Sequence, residues 1–312
     1  MESMSQRFLL ILAVCWLVAS SISPLVQALP DRPRVVLHRD IAYRPGESKY
    51  WRLDLALPAD AGDKPLPAII VIHGGGWLEG DKSSFTLRKH GVPGNIEEFA
   101  EAGFAAATIN YRLSGEAPFP AAVEDCKCAV RWLRAHAKEY NIDPARIGAY
   151  GNSAGGHLAL ILAMTDKNAG LEGDGPYQSE SSRVQAAVSD SGPIDLLGQY
   201  QSNRLREVVS RFMGGAPEGD RTTLYEKASP IRLINKETQP LLLIYGVDDE
   251  QVPVESADDF VIALRKAGWS DINYYRLAKT GHCPYSIARV AFLKPAVLDF
   301  FRRTLIPADP TP

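Results

Sequence analysis

No block of Lys or Arg interrupts the 312 residues of this chain, and its formal net charge is only −3. Without a basic footprint there is no electrostatic case for nucleic acid, so a small or neutral partner is expected. Cysteine is scarce, with four residues at positions 15, 126, 128 and 283. That count excludes a disulfide-stapled scaffold and leaves apolar packing to make the core. Internal repeats and low-complexity tracts are absent, which excludes solenoids and arrays. Neither His-Glu-x-x-His nor a paired-cysteine zinc pattern occurs, so no metal or other cofactor is implied.

Long apolar runs are missing too. The N-terminal stretch from Phe8 to Val18 is too short to span a bilayer comfortably. Preceded by Arg7 and followed by a small-residue exit ending Val26-Gln27-Ala28, it predicts a secretory signal over residues 1–28, cleaved after Ala28. The product is expected to be secreted or periplasmic and free of the membrane. A lipoprotein box at Leu12-Ala13-Val14-Cys15 is disfavoured by the bulk of Val14. Loss of the signal would leave Cys126, Cys128 and Cys283, an odd number that allows at most one internal disulfide. Cys126 and Cys128 lie two apart on a predicted helix and point to different faces, so they read as small buried hydrophobes.

What is present is alternation. Apolar, β-branched runs trade places with helical spacing along the chain, which predicts an α/β fold: a mostly parallel sheet with helices on both faces. Residues 29–306 fit one catalytic domain of that class, and 307–312 read as a disordered tail. Residues 49–58 alternate with period two, as an edge hairpin strand would, whereas 67–76 form the continuous run of a central buried strand. Further strands are expected within 103–112, 146–150, 184–190, 240–246 and 272–278. Val123, Cys126, Val130, Leu133 and Ala137 recur at helical spacing and predict a helix over 120–139, ended by Asn141 and Pro144. Helices are also expected over 256–268, capped by Ser256, and over 290–305. Residues 196–230 break the rhythm and read as a cap-like insertion between strands, of the kind that covers a pocket.

Gly151-Asn152-Ser153-Ala154-Gly155 fits G-x-S-x-G, with a strand before it and a helix after. A serine on that sharp turn is raised above the sheet edge, and only small neighbours let strand and helix meet there. A hydroxyl needs a base before it can attack, and in this setting the base lies late in the chain. His38, His73, His90 and His136 precede the turn and His157 sits one turn into the following helix, which leaves His282. An imidazolium in turn needs a carboxylate to fix its tautomer. Three acids follow the apolar run at 240–246, and Asp249 is the first choice, with Asp248 next and Asp190 or Asp195 more remote. Attack on a carbonyl creates an oxyanion, for which His73-Gly74-Gly75-Gly76-Trp77 offers backbone amides without a Cβ in the way. The alternative for that loop is a tight turn or a phosphate cradle, but no Gly-Lys-Ser/Thr follows it.

With those residues placed, the chain resembles the α/β-hydrolase superfamily, and most of all the hormone-sensitive-lipase-like and bacterial feruloyl-esterase-like carboxylesterases. The segments "VIHGGGW", "NYRLS", "GNSAGGHLA", "ASPI" and "YGVDDEQVP" stand in the family's order, and the resemblance runs from about Val35 to Leu305. It implies an acyl-enzyme on Ser153 with His282 as base and Asp249 as acid. Gly75, Gly76 and Ala154 would supply the oxyanion amides, and His73 would shape the loop without reacting. The implied substrates are short acyl or hydroxycinnamoyl esters, free or linked to polysaccharide. Serine peptidases and arylformamidases of the same fold are an alternative, and a non-catalytic binding module is another. One departure stands out: many relatives carry glycine after the catalytic histidine, where Cys283 and Pro284 follow here.

Overall fold

A computed structural model describes residues 34–86, 92–202, 205–235 and 238–306. The expected signal at 1–28, the tail at 307–312 and His90 lie outside the described residues. Eight strands form one sheet: β1 (Val35–Ala42), β2 (Arg52–Pro58), β3 (Leu66–Ile72), β4 (Ala105–Ile109), β5 (Ile142–Asn152), β6 (Ala186–Asp190), β7 (Leu241–Gly246) and β8 (Ile272–Leu277). Their spatial order is β1-β2-β4-β3-β5-β6-β7-β8. The β1–β2 and β2–β4 pairs are antiparallel, and every pair from β4 to β8 is parallel.

The apolar runs are continuous because β3, β4, β6 and β7 are covered on both faces, and every residue in them is buried. Ile70 and Ile72 pack on one face with Val130 and Leu133 of α2 (Ala121–Ala135) and Leu158 and Leu162 of α3 (Ala154–Met164). Ile69 and Val71 point the opposite way, onto Ile96 and Phe99 of α1 (Ile96–Glu101) and Val297 and Phe301 of α8 (Leu293–Leu305). That split is the period-two alternation of a strand with a helical layer on each side. Between β6 and β7 the chain makes α4 (Leu196–Gln201), α5 (Arg206–Met213) and α6 (Arg221–Lys227), and α7 (Val254–Lys266) lies between β7 and β8.

Three expectations need correction. Residues 52–58 are not an edge strand, because β1 lies outside them. β1 was not anticipated: His38, Arg39 and Asp40 interrupt its apolar pattern, where the register shifts and Asp40 takes φ 55°. Ser256 does not cap α7, which begins two residues earlier; its hydroxyl donates to Pro253 O at 2.7 Å. Helix α2 also ends sooner than its spacing suggests, at Ala135, and Asn141 turns the chain in the left-handed region at φ 51°.

Candidate active site

β5 runs straight into Ser153, which sits at φ 51° and ψ −122° before α3 begins at Ala154. A side chain in that region costs on the order of 1–3 kcal/mol and persists only where its surroundings enforce it. Here they do. A Cβ on Gly151 would stand 2.2 Å from Gly155 O, and one on Gly155 would stand 2.0 Å from Ile72 O. Both neighbours must therefore be glycine for strand and helix to pass. The amide of Ser153 donates to Asp190 O at 2.8 Å, and His157 N donates to Ser153 O at 3.0 Å as the first bond of the helix.

The chain ends beyond β7 and β8 are laced together. Val247 N donates to Leu277 O and Asp248 N to Thr280 O, and a Cβ on Gly246 would stand 2.2 Å from Thr280 O. That lacing brings Asp249 under His282. Nδ1 of His282 lies 2.7 Å from Asp249 Oδ2, and its Nε2 lies 2.9 Å from Ser153 Oγ. The other oxygen of Asp249 accepts the amides of Gln251 at 2.8 Å and Val252 at 2.9 Å. Burial pushes this carboxyl up, but the His282 hydrogen bond and charge, with the two amides, outweigh it and hold Asp249 below the ordinary carboxylate range. Because Asp249 is a carboxylate, Nδ1–H donates to it and the Nε2 lone pair faces the serine hydroxyl. Asp248 is exposed, Asp195 caps α4 by accepting from Gly198 N, and Asp190 faces the loop beyond His282.

The glycine loop follows β3 at the same sheet edge. Gly75 and Gly76 take φ 101° and 60°, and a Cβ on Gly75 would meet Glu79 O at 2.2 Å. His73 is buried, stacks on Tyr111 at 4.4 Å and lies with Nδ1 2.8 Å from Gly74 O. Burial lowers its pKa, against the Gly74 hydrogen bond and the Asp81 charge. Gly75, Gly76 and Ala154 line one cavity with Ser153 and His282, of about 520 Å³, whose apolar wall comes from Trp77, Leu78, Pro193, Leu205 and Val208. Leu205 and Val208 belong to the segment between β6 and β7. Phe212 on the same helix stacks on Trp77 at 4.3 Å and so ties that segment to the glycine loop.

Two ionisable groups beside the site are fully buried, which the sequence reading did not foresee. His157 was set aside by its position; it is fully buried, its Nε2 2.7 Å from Ala228 O, and burial pushes it down to about 4 although that hydrogen bond raises it. Asp190 is also fully buried, and burial pushes its carboxyl up to about 6 against the donors of Ser286 and Tyr285 and the His282 charge. A depressed imidazole contributes stability that is complete above pH 6.5 and lost as pH falls toward 4. A raised carboxyl has the opposite sign, because its ionisation costs stability as pH rises from 3.8 to 6. Each is worth roughly 3 kcal/mol, so the two oppose each other between pH 4 and 6. Replacing the imidazole unmasks the carboxyl: from pH 7 to 4.5, His157→Gln should gain about 2–3 kcal/mol relative to wild type in urea unfolding. A stability difference that does not change with pH would contradict this.

The BD-FAE family model matches residues 53–264. The esterase LipC of Mycobacterium tuberculosis is 30% identical over 87% of this chain and 65% of its own length. The chain thus spans just under two thirds of that relative. A truncated carbohydrate esterase from gut microbiota superposes with a TM-score of 0.75 at 26% identity, covering 89% of this chain and 99% of that one. An esterase of Thermogutta terrifontis with propionate bound gives a TM-score of 0.67 at 26% identity, covering 90% and 98%. With the family model covering more than half of it and the sheet just described, the chain belongs to the BD-FAE family and carries the α/β-hydrolase fold.

Proposed function

We propose that this chain is a serine carboxylesterase working through an acyl-enzyme on Ser153. The observation that carries the reading is the in-line series of hydrogen bonds from Ser153 Oγ through His282 to Asp249 at the floor of an apolar cavity. As Ser153 Oγ attacks the ester carbonyl, Nε2 of His282 takes its proton, and the Asp249 carboxylate balances the imidazolium without itself being protonated. The carbonyl oxygen becomes an anion that the amides of Gly75, Gly76 and Ala154 receive. His282 then returns the proton to the leaving alcohol, and a water molecule activated by the same nitrogen releases the acid.

Short acyl groups suit the cavity walled by Trp77, Leu205 and Val208, and hydroxycinnamoyl groups are the larger class its volume accommodates. The likeness to a carbohydrate esterase and to a propionate-bound esterase supports these substrates, on a free or carbohydrate alcohol. Residues 196–230 are read as the cap over the acyl site. Residues 1–28 are read as an export signal, with a secreted or periplasmic product; among the described residues no helix is long and apolar enough to cross a membrane.

The reading is tested by kcat/KM across acetyl to decanoyl and feruloyl esters beside matched anilides. The highest values should fall on short acyl esters, with feruloyl esters also turned over and anilides far slower. Anilides cleaved as fast as esters, or no ester cleaved at all, would overturn it.

A further inference from the structure

Ser153 and His282 come from segments 129 residues apart, yet their atoms meet at 2.9 Å. One residue touches both segments. Asp190, the last residue of β6, accepts the Ser153 amide on its backbone oxygen at 2.8 Å. Its carboxylate accepts the amides of Tyr285 at 3.1 Å and Ser286 at 2.8 Å, and the Ser286 hydroxyl at 2.7 Å. The Cys283 thiol donates to the same backbone oxygen at 3.4 Å, and Ser191 Oγ accepts the Cys283 amide at 3.1 Å.

These bonds account for the residue found where many relatives have glycine. Cys283 sits at φ 52°, the region that glycine enters without cost, so the turn after His282 is held against a local preference. A fully buried carboxylate whose partners are two amides and a hydroxyl is also expensive to keep. For packing alone, an apolar side chain of the same size would serve better. The purpose it does serve is geometric: the elbow and the histidine loop are referenced to one point on a central strand.

We propose that Asp190 is a positioning residue, a clamp that sets the spacing between Ser153 and the imidazole of His282. This rests on the acyl-enzyme reading above. In Asp190→Asn an amide group must face either the Tyr285 or the Ser286 N–H, donor against donor, so the loop bearing His282 shifts while the cavity walls outside that loop stay. Because a misplacement on the scale of 1 Å costs on the order of 10²-fold in rate, kcat on 4-nitrophenyl acetate should fall by about 10- to 100-fold. KM should stay within about threefold, since the apolar wall of Trp77, Leu78, Pro193, Leu205 and Val208 lies outside that loop. Ser286→Ala deletes only the hydroxyl bond and should lower kcat in the same direction by less.

Circular dichroism establishes that each variant is folded. A folded Asp190→Asn with wild-type kcat would overturn the clamp; if that variant does not fold, wild-type kcat in Ser286→Ala would overturn it instead. Ser153→Ala, assayed alongside, separates the two failures. Full activity there sinks the acyl-enzyme reading, whereas an inactive Ser153→Ala beside an unimpaired Asp190→Asn sinks the clamp alone.

Discussion

Ser153→Ala should keep the fold and lose at least about 10³-fold of kcat/KM on 4-nitrophenyl acetate. The fold survives because, among the described residues, the serine hydroxyl bonds only to His282, while the turn is enforced by Gly151 and Gly155, which the substitution leaves untouched. Alanine also bears the same Cβ at the same positive φ, so the strain of the elbow is unchanged. What disappears, on the proposed mechanism, is the oxygen that attacks. The amides of the glycine loop remain and still polarise a bound ester, so a residual rate above that in water is expected. Steady-state kinetics beside a thermal melt decide the matter, and an unchanged rate in a folded variant would defeat the mechanism.

Asp249→Asn should cost about 10²- to 10⁴-fold in kcat, whereas Asp248→Asn should stay within about threefold of wild type. The two acids are neighbours with different surroundings. Asp249 is buried, with one oxygen on His282 and the other on the amides of Gln251 and Val252. An asparagine there either turns its NH₂ toward Nδ1 and forces the wrong tautomer, or sets it against two N–H donors. Asp248 is exposed and contributes its backbone to the lacing with Thr280. Should Asp248→Asn prove the more damaging, the acid would lie one residue earlier in the chain.

The parts of this molecule legible in its sequence are those fixed by short-range sterics. Small residues on both sides of Ser153 mark a place where strand and helix nearly touch, and the apolar run that opens 67–76 has the pattern of a strand covered on both faces, which is β3, ending at Ile72 before the glycine loop. Chain order singled out the histidine whose Nε2 lies 2.9 Å from Ser153 Oγ. Longer-range features were less visible. β1 is recruited to the sheet by pairing with β2, and its own residues carry no clear alternation. The spacing along α2 predicted a helix, but not that Asp125, Lys127 and Arg131 would be buried, the first paired with Arg112 and the others with Glu172. Such burial depends on partners 13 to 45 residues away. The same holds for the cavity wall: nothing local in Leu205 or Val208 announces that they line the cavity beside the glycine loop.

Asp190 shows how one residue type can be misjudged. An acid at the end of a strand, upstream of the histidine, satisfies the order expected of a triad acid as well as Asp249 does. Only the direction of its side chain separates the two, and direction is set by which loop arrives above it.

Cys126, Cys128 and Cys283 are all buried and unbridged. Burial pushes the Cys128 thiol up to about 11 and raises Cys126 and Cys283 well above the ordinary thiol range, so none offers a thiolate to an oxidant. No bond within the described residues depends on the redox state of the surroundings. Once folded, Cys126, Cys128 and Cys283 leave nothing to oxidise or reduce, so an exported destination would impose no oxidative maturation on these three thiols.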